Sequence, residues 1–198
     1  PDGLALQRAG LVFDLVGLAP GPPIPVPDLG GVTMLDEAVL QVGTDASSLR
    51  LGPHIAAGRR NLTILREWFG LAAAIATRFD ADRICWVPAG KVVPIDALLG
   101  HLDAWDSRGE VPVGLLANFR RTLDGALQSH GLSYFTGQEF RLELRAMHEQ
   151  DDPLARLIFA HLFYDGTQTV TGELAAPDGH SLALEPTANG RMVRVRRV

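Results

Sequence analysis

The chain has 198 residues, of which 46% are hydrophobic and 21% charged, and its formal net charge at pH 7 is −5. This composition is ordinary for a folded globular protein and excludes a disordered or collagen-like chain. The length predicts one globular domain covering residues 1–198. The negative charge argues against a protein that binds nucleic acid by neutralising phosphates, and no apolar run is long enough to cross a membrane.

Cysteine usage and the first residues bear on the cellular compartment. Cys85 is the only cysteine, so it can form no internal disulfide and can supply no cysteine metal cluster. Residues 1–10 have no long apolar core, and no signal peptide is visible there. These features favour a cytoplasmic protein.

The beginning of the chain combines a strand pattern with a proline-rich segment. Residues 11–16 (LVFDLV) have the β-branched and apolar composition of a first strand. Residues 17–31 are so rich in proline and glycine that a helix and a central strand are both excluded there. This segment is predicted to be a rigid loop packed on its own domain, and the alternative is a proline-rich ligand for an aromatic groove.

Three helices are predicted from apolar periodicity and capping residues. Asn61 is a typical N-cap, and the apolar positions of residues 61–79, up to Phe79, form two adjacent stripes, which predicts a wide buried face. A second amphipathic helix is predicted to start at Pro94. A third opens at Asp152-Pro153 and ends at Asp165-Gly166.

The remaining segments predict short strands. An inner strand is predicted over residues 84–87, and the last thirty residues resemble a β-meander with hairpin turns at Asp178-Gly179 and Asn189-Gly190. A short helix or turn is expected over residues 123–130, and residues 132–147 fit a strand or a helix. Further strands are expected at 39–42, 49–51, 54–57 and 111–116. The predicted fold class is therefore α+β, with a mainly antiparallel sheet packed against three or more helices and a C-terminal β-meander.

Common catalytic and cofactor motifs are missing from the sequence. The chain contains no phosphate-binding P-loop, no dinucleotide-binding glycine pattern, no Gly-x-Ser-x-Gly and no His-Glu-x-x-His. The residues most typical of a metal site are His148, Glu149, Asp151, Asp152 and His161, but the acidic ones are better explained as a cap on the third helix. Cys85 has apolar neighbours and is expected to be an inert core residue. We therefore predict no catalytic residue, no metal and no cofactor.

Three residues are candidates for ligand binding. Trp86 and Lys91 lie at and just after the end of a predicted strand, where an aromatic ring and a cation could line a pocket. His54 follows Gly52-Pro53 and could point into a cleft. The alternative for His54, Trp86 and Lys91 is a structural histidine, an ordinary core tryptophan and a solvated lysine.

The order of these features resembles a bacterial family known as domain of unknown function 4261, over roughly residues 11–170. The resemblance depends on the following segments: the turn Pro22-Pro23-Ile24-Pro25, the stretch His54-Ile55-Ala56, the alanine-rich helix from Asn61, the run from Ile84 to Gly90, and the segment from Gly131 to Glu139. It implies a bacterial, cytoplasmic α+β protein, and it supplies no activity and no catalytic residue.

The sequence favours a non-enzymatic protein-interaction module of regulatory or immunity type, because no convergent set of catalytic residue types is visible. The alternative is a small-molecule-binding domain or an enzyme with a cleft near Trp86 and His54. The partner would be a protein rather than a nucleic acid or a membrane. A third alternative is a homodimer that forms through an edge strand or an apolar helix face.

Overall fold

A computed structural model describes residues 3–27, 33–34, 47–55, 61–143 and 151–198. The chain forms two compact units. The first unit comprises Pro1–Val87 and Val92–Glu110, and the second comprises Pro88–Lys91 and Val111–Val198. The single domain over residues 1–198 stays a prediction. The strand predicted at residues 39–42 lies outside the described residues.

The first unit begins with a β-hairpin that leads into a small antiparallel sheet. The strands of this part are β1 (Gly3–Arg8), β2 (Leu11–Val16), β3 (Ile24–Pro25), β4 (Thr33–Met34), β5 (Ser47–Ser48) and β6 (Arg50–Pro53). The first sheet has the order β1-β2-β6, and β3 pairs with β5. Phe13 and Leu15 are buried because alternate residues of β2 share one face. Strand β2 confirms the prediction for residues 11–16, whereas β1 was not predicted.

Helix α1 (Leu62–Arg78) begins where the sequence predicts. The side-chain oxygen of Asn61 accepts hydrogen bonds from the backbone N–H groups of Thr63 and Ile64, which satisfies two donors of the first turn. The buried residues are Leu65, Phe69, Ala73 and Ala76, and they confirm the apolar face. Phe79 was included in that face, but it is 53% exposed because it lies beyond the last helical turn.

The rest of the first unit consists of β7 (Arg83–Trp86), β8 (Lys91–Pro94) without its first residue, which belongs to the second unit, and α2 (Ile95–Arg108). A second sheet has the order β4-β8-β7. The predicted helix start at Pro94 is confirmed, since Pro94 is the residue that precedes α2. Leu98 and Trp105 are the buried residues of α2, and α2 packs against α1. An ion pair between Arg66 of α1 and Asp106 of α2 joins the two helices at their exposed edge.

The second unit is built around a six-stranded sheet. Its elements are α3 (Val113–Leu116), β9 (Asn118–Arg121), β10 (Leu127–His130), α4 (Ser133–Thr136), β11 (Glu139–Leu142), α5 (Asp151–Asp165), β12 (Gly172–Ala175), β13 (Ser181–Pro186) and β14 (Met192–Arg197). The strand order is β12-β13-β14-β11-β10-β9. All neighbours in this sheet are antiparallel except β11 and β14, which are parallel.

Two predictions for the second unit are wrong. Residues 111–116 were expected to form a strand, but Pro112 precedes a short helix because its ring favours a helix start. Residues 123–130 were expected to be a short helix or a turn, but only their first part is a turn, and β10 follows it. The predicted helix that opens at Asp152-Pro153 and ends at Gly166 and the C-terminal meander of β12, β13 and β14 are confirmed.

One face of the six-stranded sheet carries the core of the second unit. Helix α5 places Ile158, Phe159 and Leu162 in this core, and all three are buried. The sheet contributes Phe140 and Val195, which are also fully buried. The chain as a whole is thus an α+β protein with mostly antiparallel sheets, as predicted. Among the described residues, no helix combines the length and the apolarity that a membrane span requires.

Candidate functional site

His54 lies just after β6 in the first unit and forms a pair with Asp14 of β2. Its Nδ1 atom is 2.9 Å and 3.1 Å from the two carboxylate oxygens of Asp14, and both side chains are about half exposed. The β2–β6 ladder produces this pair because the backbone N–H of His54 donates to the carbonyl of Val12, two residues before Asp14. The carboxylate holds the imidazole by one nitrogen, which fixes the orientation of the ring.

Trp86 is at the end of β7 and lies in an aromatic cluster of the first unit. Its ring is 5.3 Å from Trp68 and 5.1 Å from Phe69, centroid to centroid, and the residue is 4% exposed. Trp68 in turn donates from Nε1 to the carbonyl of Leu51 in β6. Trp86 therefore has the environment of a core residue, and its binding of a ligand stays a prediction.

Lys91 is the first residue of β8 and belongs to the second unit. Its side chain is not solvated, since the residue is 8% exposed and Nζ donates to the carbonyl of Ala117 at 3.0 Å. The three predicted ligand residues thus have different surroundings: an Asp14 pair for His54, an aromatic cluster for Trp86 and a backbone carbonyl for Lys91.

The other residues that the sequence suggested as a nucleophile or as metal ligands either have the contacts of structural residues or lie outside the described part of the chain. Burial raises the pKa of the Cys85 thiol to about 11, which disfavours the thiolate that a nucleophile needs. Residues 148–150 of the metal-like cluster lie outside the described part of the chain. His161 faces Asp165 one helical turn later, with Nδ1 3.4 Å from a carboxylate oxygen. The described residues hold no group of three or more histidine, cysteine or acidic side chains suited to a metal.

The second unit has a polar sheet face that the sequence indicated only in part. Register and strand alternation place Arg141 of β11 and Arg194 and Arg196 of β14 on the face opposite to the α5 core. We call these three residues the arginine face. The sequence has alternating charges over residues 139–145 and three arginines in its last five residues, a pattern typical of solvated positions. That two strands bring them together could not be predicted, because β11 and β14 are far apart in the chain.

The three guanidinium groups of the arginine face differ in their partners. Arg141 forms an ion pair with Asp124, and Nη2 of Arg196 is 2.5 Å from a carboxylate oxygen of Glu185. Arg194 is exposed, and it forms no ion pair within the part of the chain that the structure describes. Arg194 is therefore the member of the face whose charge is least compensated.

Glu139 shares the sheet face with Arg141, but backbone donors occupy its carboxylate. Oε1 accepts hydrogen bonds from the backbone N–H groups of Gly131 at 2.9 Å and Ser133 at 3.0 Å. Oε2 accepts from the hydroxyl of Ser129 at 2.6 Å. These bonds tie the loop after β10 to β11. Glu139 thus has a structural role in shaping this end of the sheet.

Beside Glu139, at the edge of the sheet, lie Arg120 of β9 and His130 of β10. His130 pairs with Asn118 across the β9–β10 ladder, so Arg120 and His130 are on the same face. Burial and the positive charge of Arg120 lower the pKa of His130, and the charge of Glu139 opposes this shift. The imidazole is therefore mainly neutral at pH 7.

Comparison with known proteins finds no matching family model, no matching curated protein and no matching solved structure. The resemblance to the domain of unknown function 4261 family therefore stays a prediction, together with the bacterial origin that it implies. The function must be argued from the chemistry of the residues.

Proposed function

We propose that the chain is a non-enzymatic protein-interaction module of regulatory type, and that its second unit binds an acidic segment of a partner protein on the arginine face. The observation that supports this proposal is the placement of Arg141, Arg194 and Arg196 on one open sheet face, away from the α5 core. Arginine is suited to this role because its planar guanidinium binds a carboxylate with two parallel hydrogen bonds.

Charge complementarity selects the kind of partner. The exposed ion pair of Arg196 with Glu185 contributes little stability on its own, because solvent screens it and the side chains lose freedom. An incoming carboxylate can therefore share or replace Glu185 at low cost. Arg194 of β14 is opposite Glu185 in the register, is exposed, and offers its charge to the same segment. Such contacts weaken as salt rises.

The test is the binding of a fluorescein-labelled peptide of alternating glutamate and serine, measured by fluorescence anisotropy. Arg194→Glu should weaken binding roughly tenfold or more, which corresponds to the loss of about 1.4 kcal/mol. The matched control is Arg50→Glu, an exposed arginine of β6 in the first unit, which should leave the affinity within about twofold of wild type, well under that energy. Equal affinities for wild type and Arg194→Glu would contradict the proposal.

A second candidate function, a small-molecule or catalytic centre in the first unit, is favoured by the Asp14–His54 pair. A carboxylate on Nδ1 leaves Nε2 of the half-exposed ring to accept a proton, which is the arrangement of a general base. The buried position of Trp86 does not add to this centre.

The Asp14–His54 candidate predicts imidazole-dependent hydrolysis of p-nitrophenyl acetate. His54→Gln should abolish the rate above background, and Asp14→Asn should reduce it severalfold because the orienting charge is lost. His180→Gln is the control, since His180 has a similar exposed contact with Asp178 in a turn. If His180→Gln lowers the rate as much as His54→Gln does, then the activity is that of any surface histidine and this candidate is wrong.

A further inference from the structure

The second unit has a half-buried arginine, Arg120, on the edge strand of its six-stranded sheet. Arg120 lies on β9, and its Nε atom is buried without a hydrogen-bond acceptor among the described residues. A buried N–H of a charged group costs free energy when it lacks an acceptor. Two arginines on other strands of the sheet are different, because Arg141 has an aspartate and Arg196 a glutamate.

The described groups near Arg120 are His130, the backbone of Gly90 and one carboxylate, that of Glu139, which other donors already bind. His130 lies beside it on the same sheet face, and the charge of Arg120 acts on the imidazole. The backbone of Gly90 approaches the other end of the guanidinium, since a Cβ built on Gly90 would be 3.5 Å from Nη2 of Arg120. Glu139 is the carboxylate nearest in register, and backbone N–H groups and a serine hydroxyl already bind it.

The segment that contains Gly90 is held rigidly against β9. The side-chain amide of Asn118 is 3.5 Å from the carbonyl of Ala89, and Nζ of Lys91 donates to the carbonyl of Ala117. Both Asn118 and Lys91 are buried. The segment beside Arg120 is thus anchored at both ends, so little backbone freedom is lost there when a ligand binds.

We propose that Arg120, with His130 beside it and the backbone of Gly90 at its far end, binds a compact oxyanion, the carboxylate or phosphate group of a small ligand. Two oxygens of such a group accept hydrogen bonds from the guanidinium fork, and the buried Nε–H gains an acceptor. His130 contributes a further donor, more strongly as it becomes protonated at lower pH. Arg120 lies on the same sheet face as the arginine face, but this site requires a small oxyanion at Arg120 and not the acidic segment proposed there.

The experiment measures the thermal stability of the whole chain with millimolar inorganic phosphate, with acetate, and with sodium chloride at the same ionic strength. Phosphate or acetate at about ten times its dissociation constant should raise the Tm of wild type by about 3–6 °C relative to chloride. Arg120→Gln should remove this shift. Arg50→Gln, which removes an exposed charge from β6 of the first unit, should retain it.

A shift with phosphate alone supports a phosphate-bearing ligand, and a shift with acetate alone supports a carboxylate. If neither anion shifts the Tm beyond chloride, or if Arg50→Gln loses the shift as Arg120→Gln does, the proposal is overturned. Arg120→Lys is the second variant in case the glutamine variant does not fold, and it should lose most of the shift because lysine lacks the fork.

The His130 imidazole provides a readout that a merely structural role of Arg120 would not change. The charged groups that act on this ring are Arg120 and Glu139. Bound phosphate should raise the midpoint of its proton NMR titration in wild type, because the anion favours the imidazolium. The same addition should leave the midpoint unchanged in Arg120→Lys. An equal rise in both proteins would overturn the site.

Discussion

Replacing Gly131 with alanine should destabilise the protein by about 3–5 kcal/mol, the sum of backbone strain and overpacking. Gly131 follows β10 with φ +107°, a conformation that residues with a side chain rarely adopt. A Cβ there would be 2.4 Å from the carbonyl oxygen of Leu116 and 2.9 Å from Cβ of Ala89. The first contact is with backbone, so the clash cannot be relieved by a rotamer change.

Gly190→Ala is the matched control for Gly131→Ala. Gly190 lies in the turn before β14 with φ +65°, and a Cβ there would meet no atom within 4 Å. This variant should therefore lose only the strain energy of a left-handed residue, about 1–2 kcal/mol. Urea denaturation followed by far-ultraviolet circular dichroism gives both values. Equal losses for the two variants would show that the close approach at Gly131 has no energetic importance.

Phe159→Ala should cost about 3–5 kcal/mol, because it removes a large ring from the core and leaves a cavity. Phe159 is 0% exposed in α5, and its ring centroid is 6.3 Å from that of Phe119 and 6.2 Å from that of Phe163. The loss is measured as a decrease in the free energy of unfolding by the same denaturation experiment.

Tyr164→Ala is the control for the Phe159 variant, since Tyr164 lies on the same helix but is 54% exposed. Its truncation should cost less than about 1 kcal/mol, as is usual for surface positions. A loss at Phe159 no larger than that at Tyr164 would mean that α5 is not the core helix of the second unit.

The sequence predicted those parts of the fold that depend on local chemistry. Asn61 signals a helix start because its side chain satisfies donors two and three residues later. Asp178-Gly179 and Asn189-Gly190 signal hairpins because glycine accommodates the left-handed position of the turn. These signals lie within a few residues of the structure that they determine, so one sequence suffices to recognise them.

The parts that were missed depend on pairings between distant segments. β10 contains Gln128, Ser129 and His130, so its sequence lacks a strong strand pattern, and its pairing with β9 and β11 supplies the structure. The sequence does not single out Arg120 for the same reason, because only the β9–β10 register makes it a diagonal neighbour of His130. Lys91 was singled out, but its contact with the Ala117 carbonyl could not be foreseen from residues 26 positions away.

The position of β14 determines when the second unit can fold. This strand separates β13 from β11, so the two halves of the sheet have no ladder in common until Met192–Arg197 is added. During synthesis, β9, β10 and β11 leave the ribosome early and expose the unpaired edge of β11 until β14 follows. An exposed edge of this kind recruits strands from other chains. A pause in translation before residue 192 should therefore promote aggregation of the nascent protein, whereas a chain that already contains β14 has this edge covered.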